Sequence, residues 1–279
     1  MDTLEALILG VVQGLSEYLP ISSSGHLEIF RSLLGIKLSA ADSLEFDVML
    51  HVATVLSTII ILWREFAPLC FSFFSFRRDE NTTYVWKIIV SCIPVAIVGV
   101  FFKDYVEGFF GSDLRIVGIC LLVTALLLCF AYFFRTRPVL RHHSREGHPI
   151  GWTDAIAMGV AQAIAVLPGL SRSGTTIATG ILTGAKRSDV ARFSFFMVII
   201  PILGEAVLDT VKLLGDAAEG ITNPIGWGPM AVGFFAALLV GCAACKWMLE
   251  IVKKGKLVWF AVYCAVVGIL CLTTWANPA

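Results

Sequence analysis

The sequence predicts an all-helical membrane protein with several spans. Of its 279 residues, 57% are hydrophobic and 15% are charged, and the mean hydropathy is +0.84. Soluble domains are roughly 45–50% apolar and about 25% charged, so this chain has too little polar surface to coat a soluble globule. Its apolar runs are continuous rather than alternating, which indicates helices and not barrel strands. The 21 basic and 21 acidic residues balance, so we expect no nucleic-acid partner.

Six apolar segments are long enough, or nearly so, for the roughly 20 residues that cross a bilayer as a helix. They are residues 45–64, 84–103, 114–135, 188–212, 227–247 and 256–275.

Two pairs of shorter apolar segments do not fit this length. Residues 4–15 and 27–36 flank one polar stretch, and residues 155–167 and 175–185 flank another. A helix of about 10 residues is roughly 15 Å long, which is half of the hydrocarbon core. We therefore predict that each pair is a re-entrant helical hairpin; the alternative is one broken helix that spans fully.

The distribution of basic residues favours re-entry. With six spans and two hairpins that do not cross, most of the 21 Lys and Arg residues fall on one side, which the positive-inside rule makes cytoplasmic. Hairpins that crossed would divide the later basic loops between the two sides. We therefore expect the first hairpin to open to the periplasm.

The two halves of the chain follow one plan, a hairpin followed by three spans. We treat residues 1–279 as a single membrane domain, with a first repeat at 1–140 and a second at 150–279. Stretches 13–25 and 162–174 both run from Gln through apolar residues and Pro to a serine-containing triplet and Gly. Because each half has an odd number of spans, the second repeat is inverted. We expect the two hairpin tips to meet near the membrane midplane.

The second tip, residues 168–176, carries Arg172 between serines. This topology buries no other basic residue, and an unpaired Arg in a membrane costs at least a few kcal/mol, which makes it a functional candidate. Its guanidinium fork matches phosphate oxygens, and the free N–H groups of a helix start bind anions. A structural ion pair with Glu17 is the alternative, and both roles are compatible. The other candidate phosphate contacts here are Ser171, Ser173, Gly174, Thr175 and Thr176.

The first tip, residues 16–26, carries the candidate reactive groups. Glu17 is its carboxylate, and Gln13 lies four residues earlier on the same helical face. Together they offer the hard oxygen ligands that suit Mg²⁺ or Ca²⁺ bridging to a phosphate, although a capping role is the alternative for Glu17. The serine triplet and His26 supply a candidate nucleophile and base, with at least one serine expected to be a helix cap. Further candidate substrate contacts are Ser24, Gly25 and His51, the last of which equally fits a bond to a backbone carbonyl.

These motifs resemble those of the undecaprenyl pyrophosphate phosphatase family, the integral-membrane type also known as bacitracin-resistance proteins. The first family motif is Glu or Gln, three residues, Glu, and then Pro-x-Ser-Ser, Ser or Thr, Gly and His, here Gln13, Glu17, Pro20 and residues 22–26. The second is Pro-Gly-x-Ser-Arg-Ser-Gly, here residues 168–174 followed by Thr176. The resemblance covers the whole chain, including residues 193–195.

The resemblance implies hydrolysis of undecaprenyl diphosphate to undecaprenyl phosphate and phosphate, which recycles the lipid carrier for cell-wall synthesis. It also implies a divalent metal near Glu17 and Gln13, Arg172 on the diphosphate, and a serine–histidine pair at the reacting phosphorus. We favour Ser23 as the nucleophile, with Ser22 second and direct attack by water as the alternative. Many members have Glu where this chain has Gln13, and an amide cannot act as a base, so more of the expected chemistry falls on Glu17.

The alternative function is an inverted-repeat transporter or flippase for a lipid phosphate or a small anion. A carrier needs donors for phosphate but no nucleophile and base, so the serine triplet with His26 favours hydrolysis. The expected partners are the prenyl diphosphate and membrane lipid, and a homodimer is a possible assembly.

Overall fold

The structure is a bundle of α-helices. The computed structural model describes residues 1–102, 105, 108, 114–136, 147–218 and 225–274, and the regular elements in these ranges are twelve α-helices. The predicted repeat boundary at residue 140 lies outside the described residues. The first six helices are α1 Thr3–Ser16, α2 Ser23–Leu34, α3 Ala40–Ile61, α4 Trp63–Phe74, α5 Glu80–Phe101 and α6 Leu114–Thr136. The second six are α7 Trp152–Ile164, α8 Arg172–Leu182, α9 Arg187–Met197, α10 Ile199–Ala218, α11 Trp227–Lys254 and α12 Val258–Thr274.

Five helical stretches of the described chain are long and apolar enough to cross a membrane. They coincide with five of the six predicted spans and are Asp42–Ile61, Glu80–Phe101, Leu114–Phe134, Arg187–Leu208 and Trp227–Lys254. The sixth predicted span, residues 256–275, is helical as α12, but its 17 residues fall short of the roughly 20 that a typical crossing takes. A sixth span therefore stays a prediction.

Two pairs of short helices stand where the hairpins are predicted, and the second helix of each pair begins in the serine-containing triplet, as expected. The pairs are α1 with α2 and α7 with α8. Helix α2 begins at Ser23 because Ser22 caps it, its Oγ accepting from the Gly25 N–H at 3.2 Å. Helix α8 begins at Arg172 because the Ser171 hydroxyl accepts from the Gly174 N–H at 3.0 Å. Each serine-containing triplet thus forms the first turn of a helix, and the expectation that one serine of the first tip is a cap is confirmed.

The predicted span at 188–212 is two helices, α9 and α10, joined end to end at Val198. Pro201 has no N–H, so it cannot donate to the carbonyl four residues earlier, that of Met197. The Cys92 thiol from α5 donates to this Met197 oxygen at 3.2 Å instead. The proline accounts for the break, and the cysteine satisfies the carbonyl that the break leaves open.

The sequence pattern does not predict α4. The helix over the predicted span 45–64 ends at Ile61, and the chain departs from helical geometry at Leu62, where φ is −101° and ψ is 23°. Helix α4 then begins at Trp63 and runs to Phe74.

The helices of the two halves pack against each other at glycines. Helix α1 lies against α11, and α7 lies against α5. A Cβ added to Gly10 of α1 would lie 2.4 Å from the Gly233 oxygen, and one added to Gly159 of α7 would lie 2.4 Å from the Ser91 oxygen. Helices α6 and α12 approach through Gly118 and Gly268, each of which would place a Cβ 2.9 Å from the other's carbonyl oxygen. These backbones approach more closely than any side chain allows, as small residues permit in membrane bundles.

Replacing these glycines by alanine tests the close packing. Gly159→Ala must push α7 away from α5, so we expect a loss of about 1–3 kcal/mol in the free energy of unfolding. Gly99→Ala is the matched control on α5, because no atom lies within 4 Å of its added Cβ. Alanine favours helix by about 1 kcal/mol over glycine, so this control should be neutral or stabilising. The measurement is unfolding in detergent micelles, and equal effects of the two changes would contradict the packing.

Candidate active site

Glu17 is the residue on which the polar side chains of the two tips converge. One oxygen of its carboxylate, Oε2, accepts from the Ser23 hydroxyl at 2.6 Å and from Gln13 Nε2 at 3.0 Å. The other oxygen, Oε1, lies 3.3 Å from Arg172 Nη2. The side chain is 10% exposed, and a carboxylate this deep needs such partners to stay charged.

Arg172 comes from the second tip, so its ion pair with Glu17 joins the two halves. The tips are in contact here and at a second point, where Ser173 Oγ donates to the Leu19 carbonyl at 3.2 Å. That they meet near the membrane midplane stays a prediction. The backbones also touch, because a Cβ on Gly25 would lie 3.0 Å from the Gly169 Cα. The Arg172 side chain remains 28% exposed, which leaves part of its five-donor guanidinium accessible to a ligand.

Ser23 lies at the first position of α2, directly after a strained residue. The N-cap Ser22 has φ 72° and ψ 99°, a left-handed conformation that costs a residue other than glycine about 1–3 kcal/mol. Ser22 is buried, and its hydroxyl is occupied by capping. The conformation of Ser22 sets the direction of the next residue, Ser23, whose hydroxyl faces Glu17. This geometry separates the two candidates, with Ser22 as the cap and Ser23 as the residue that faces the carboxylate.

His26 does not meet Ser23, which corrects the predicted serine–histidine pair. Its Nδ1 lies 2.7 Å from the Ser22 carbonyl oxygen, and its Nε2 lies 2.8 Å from the Tyr263 hydroxyl of α12. Part of the reason is local, because His26 sits in the first turn of α2, where its ring folds back onto the carbonyl four residues earlier. The other part is Tyr263, which reaches the ring from α12. The Ser23 hydroxyl has a carboxylate as its acceptor, so the pair at this serine is serine–glutamate.

His51 of α3 is the second imidazole near the site. Its Nδ1 lies 2.7 Å from the Asp47 carbonyl oxygen, which is the backbone contact considered from the sequence. Its Nε2 faces Glu17 Oε2 at 3.4 Å. His51 thus borders the site by contacting the carboxylate.

The remaining predicted contacts of the tips are mostly turned inward. Ser24 Oγ lies 3.5 Å from the Ser22 hydroxyl, and Gly174, like Gly25, packs where the tips meet, its added Cβ 3.2 Å from Pro20. Thr175 is buried with no partner at its hydroxyl, and Thr176 contacts Ser194 of α9 at 2.6 Å. Ser171 is buried as the cap of α8, and its N–H donates to Thr124 at 3.1 Å. Among these residues Ser173 borders the cavity described next.

A small cavity, open on one side, lies beside Glu17 and Arg172. Its remaining walls come from α3, α9 and α10, and of these helices only α3 carries a residue predicted for the site, His51. Thr54 and Thr58 lie four residues apart on one face of α3, and polar residues in a membrane span are candidates for function, so the sequence contained this signal. The walls also include Val55, Ser194, Val198 and Ile202. Ser194 belongs to residues 193–195, which resemble the family sequence, whereas nothing in the sequence distinguishes the three apolar residues from other residues of the spans.

Tyr18 fixes the first tip to α3 and was also missed. Its hydroxyl donates to the Thr54 carbonyl at 2.5 Å and lies 2.6 Å from Ser57 Oγ and 2.9 Å from Thr58 Oγ1. The ring is 2% exposed. Since Tyr18 follows Glu17 directly, this anchor holds the backbone that carries the carboxylate.

The residues of the first tip fit the expected divalent cation only in part. In the described part of the chain, no three His, Cys, Asp or Glu side chains cluster to hold a metal ion. The Gln13 Oε1 oxygen, however, is buried without a hydrogen-bond partner, beside the Glu17 carboxylate. One carboxylate and one free amide oxygen suit Mg²⁺ that takes its other ligands from water and substrate phosphates.

Comparison with known proteins identifies the family. The family model described as bacitracin resistance protein BacA matches residues 6–270. The chain belongs to this family. It is 52% identical over 274 residues to the undecaprenyl-diphosphatase of Bacteroides thetaiotaomicron, covering 98% of this chain and 99% of the relative. It is 51% identical to the undecaprenyl-diphosphatase of Parabacteroides distasonis and 41% identical to that of Christiangramia forsetii, each over at least 96% of both chains. As a member of the BacA family whose described residues include five helices long and apolar enough to cross a membrane, it is a multi-pass membrane protein.

A double-mutant cycle tests the ion pair between the tips of this BacA family member. We expect Glu17→Gln and Arg172→Gln each to lower the free energy of unfolding, and the double variant to lose less than their sum, with a coupling of about 1–3 kcal/mol. The control cycle uses Glu65 and Arg192, whose side chains are each 38% exposed and lie 3.7 Å apart. An exposed pair couples by about 0.2–1 kcal/mol. Equal coupling energies in both cycles would therefore show that the Glu17–Arg172 ion pair does not hold the two tips together.

Proposed function

We propose that this protein hydrolyses undecaprenyl diphosphate to undecaprenyl phosphate and phosphate in the bacterial inner membrane. The observation that carries the proposal is the 2.6 Å hydrogen bond from Ser23 to Glu17, with Arg172 on the other side of the same carboxylate. A hydroxyl held by a base beside a guanidinium is what transfer of a phosphoryl group requires. The names of the relatives point to the same substrate.

Ser23 is the nucleophile in the proposed reaction. Glu17 takes the proton from its hydroxyl as the bond from Oγ to the terminal phosphorus forms. The bond from that phosphorus to the bridging oxygen breaks, and the leaving undecaprenyl phosphate receives the proton from Glu17. Water then attacks the phosphoserine phosphorus, Glu17 takes a proton from this water, and Ser23 Oγ recovers a proton from Glu17 as the Oγ–phosphorus bond breaks.

Arg172 stabilises the negative charge that spreads over the transferring group. Ser173, which borders the cavity, and the free N–H groups at the starts of α2 and α8 would supply further donors. The apolar residues Val55, Val198 and Ile202, on the other walls of the cavity, suit the start of a prenyl chain. Glu17 and Gln13 would hold a divalent cation together with the diphosphate, where it neutralises phosphate charge.

We infer that the site lies between two re-entrant hairpins of an inverted repeat and opens to the periplasm. Aligning Gln13 with Gln162 makes Gly10 the equivalent of Gly159, and both are close-packing glycines against the opposite half. Under the same alignment, the contact of Gly25 with Gly169 is the counterpart of the contact of Gly174 with Pro20. Such reciprocity favours a two-fold relation of the halves, with α12 as the sixth span and the basic loops in the cytoplasm.

Phosphate release separates hydrolysis from transport. Purified protein in detergent should release phosphate from undecaprenyl diphosphate, and Ser23→Ala should reduce kcat by at least about 1,000-fold, as the loss of a nucleophile does. Arg172→Ala should cost about 10³-fold or more, since it removes charge stabilisation. Ser188→Ala is the control, because this hydroxyl belongs to neither tip and donates to Asp189 at 3.1 Å. A lipid phosphate carried across liposomes without phosphate release would favour the transporter instead.

Removal of divalent cations tests the metal. Chelator should abolish phosphate release by the wild type, and Mg²⁺ or Ca²⁺ should restore it. Glu17→Gln loses the base and the charged ligand together, so we expect a fall of at least about 100-fold that added metal does not repair. Full activity of the wild type in chelator would exclude the cation.

A further inference from the structure

His26 is held by two protein groups, neither of which is a reacting atom. Its Nδ1 faces the Ser22 carbonyl oxygen at 2.7 Å. A carbonyl only accepts, so Nδ1 carries the proton. Its Nε2 is then the acceptor for the Tyr263 hydroxyl at 2.8 Å. The histidine is 5% exposed, and in this arrangement both ring nitrogens are satisfied.

Tyr263 reaches this contact from α12, in the opposite half of the chain. Its ring stacks on the imidazole, with centroids 5.6 Å apart and an angle of 15° between the planes. The next residue, Cys264, is within 3.5 Å of the Pro20 carbonyl oxygen of the first tip through its thiol. Two neighbouring residues of α12 thus contact the first tip. Tyr263 contacts His26, which follows Ser22 in the chain, and Cys264 contacts Pro20, which precedes it.

Ser22, which lies between these two contacts in the chain, is the strained residue. Ser22 has a positive φ of 72°, and such a conformation persists where the surroundings hold it. The hydrogen bond from His26 to the Ser22 carbonyl stabilises this conformation. Tyr263 in turn fixes the orientation of the His26 ring. Ser23, the next residue, donates to Glu17 at 2.6 Å. The contacts therefore form one continuous path from Tyr263 to the hydroxyl that faces the carboxylate.

We propose that Tyr263 and His26 are positioning residues that hold Ser22 in its left-handed conformation and so keep the Ser23 hydroxyl on Glu17. The inference rests on the proposed hydrolysis of undecaprenyl diphosphate, and it assigns no proton transfer to His26. A positioning histidine is replaceable by any side chain that donates from the Nδ1 position, whereas a general base is not. The asparagine amide places an N–H near that position, and alanine does not.

The first experiment measures kcat and KM for phosphate release by Tyr263→Phe. We expect kcat to fall about 3- to 10-fold, the rate equivalent of one hydrogen bond, with KM changed less than about 2-fold because Tyr263 does not touch the substrate. Tyr84→Phe is the control, since that ring packs on Phe193 and Phe196 rather than on His26. Wild-type kcat in Tyr263→Phe would overturn the proposal.

The second experiment compares His26→Asn with His26→Ala. We expect alanine to lower kcat about 100-fold and asparagine to stay within about 10-fold of the wild type, since asparagine keeps the donor to Ser22. In the His26→Ala background, Tyr263→Phe should change kcat less than about 2-fold, because it acts through the histidine. Asparagine as inactive as alanine would show that His26 carries a proton and would overturn the positioning role.

These readouts distinguish the two proposals from each other. No phosphate release by the wild type overturns the proposed hydrolysis itself. Release by the wild type, with any of the contrary results above, overturns only the positioning role. Unfolding of each variant in detergent is measured alongside, and His26→Asn, which retains the Ser22 bond, carries the decision if His26→Ala fails to fold.

Discussion

The ion pair of Glu17 with Arg172 is the contact on which the rest of the structure depends. The two residues are separated by 155 positions in the chain and come from different helix pairs. A charged side chain inside a membrane protein must find a partner of opposite charge or a water-filled cavity. Each tip therefore requires the other, and their meeting brings the Ser23 hydroxyl, the carboxylate and the guanidinium to one wall of the cavity. The same contact satisfies the charges and assembles the reactive groups.

Small residues make that meeting possible. Two pairs of helices from opposite halves approach through Gly10 and Gly159, and the tips approach through Gly25 and Gly169. Without a strong hydrophobic driving force in lipid, close backbone packing supplies much of the association energy. The helices are thereby fixed relative to each other, and polar side chains on separate helices meet within hydrogen-bond distance. Tyr18 and Tyr263 complete the arrangement by tying the first tip to α3 and α12.

The sequence was sufficient for the parts of the site that local patterns determine. Glu17 and Arg172 stand out because charge is rare in apolar stretches, and a cap among the serines of the first tip is expected because serine caps helices. It was insufficient where a distant helix decides the outcome. His26 is close to Ser23 along the chain, yet its two ring nitrogens contact the Ser22 carbonyl and the Tyr263 hydroxyl. The break at Val198 followed from Pro201, a residue that is visible in the sequence, but the thiol that completes it comes from α5. Contacts of this kind depend on which helices become neighbours, and periodicity does not specify that.

The claim at the centre of this account is that Glu17 prepares the Ser23 hydroxyl to attack phosphorus. The stereochemical course of the reaction tests it most directly. Undecaprenyl diphosphate carrying a terminal thiophosphate made chiral with one oxygen isotope is hydrolysed in water of another isotope, and the configuration of the released thiophosphate is determined. Attack by Ser23 followed by water makes two displacements at phosphorus, so the account predicts retention of configuration. Inversion would show a single displacement by water and would contradict it.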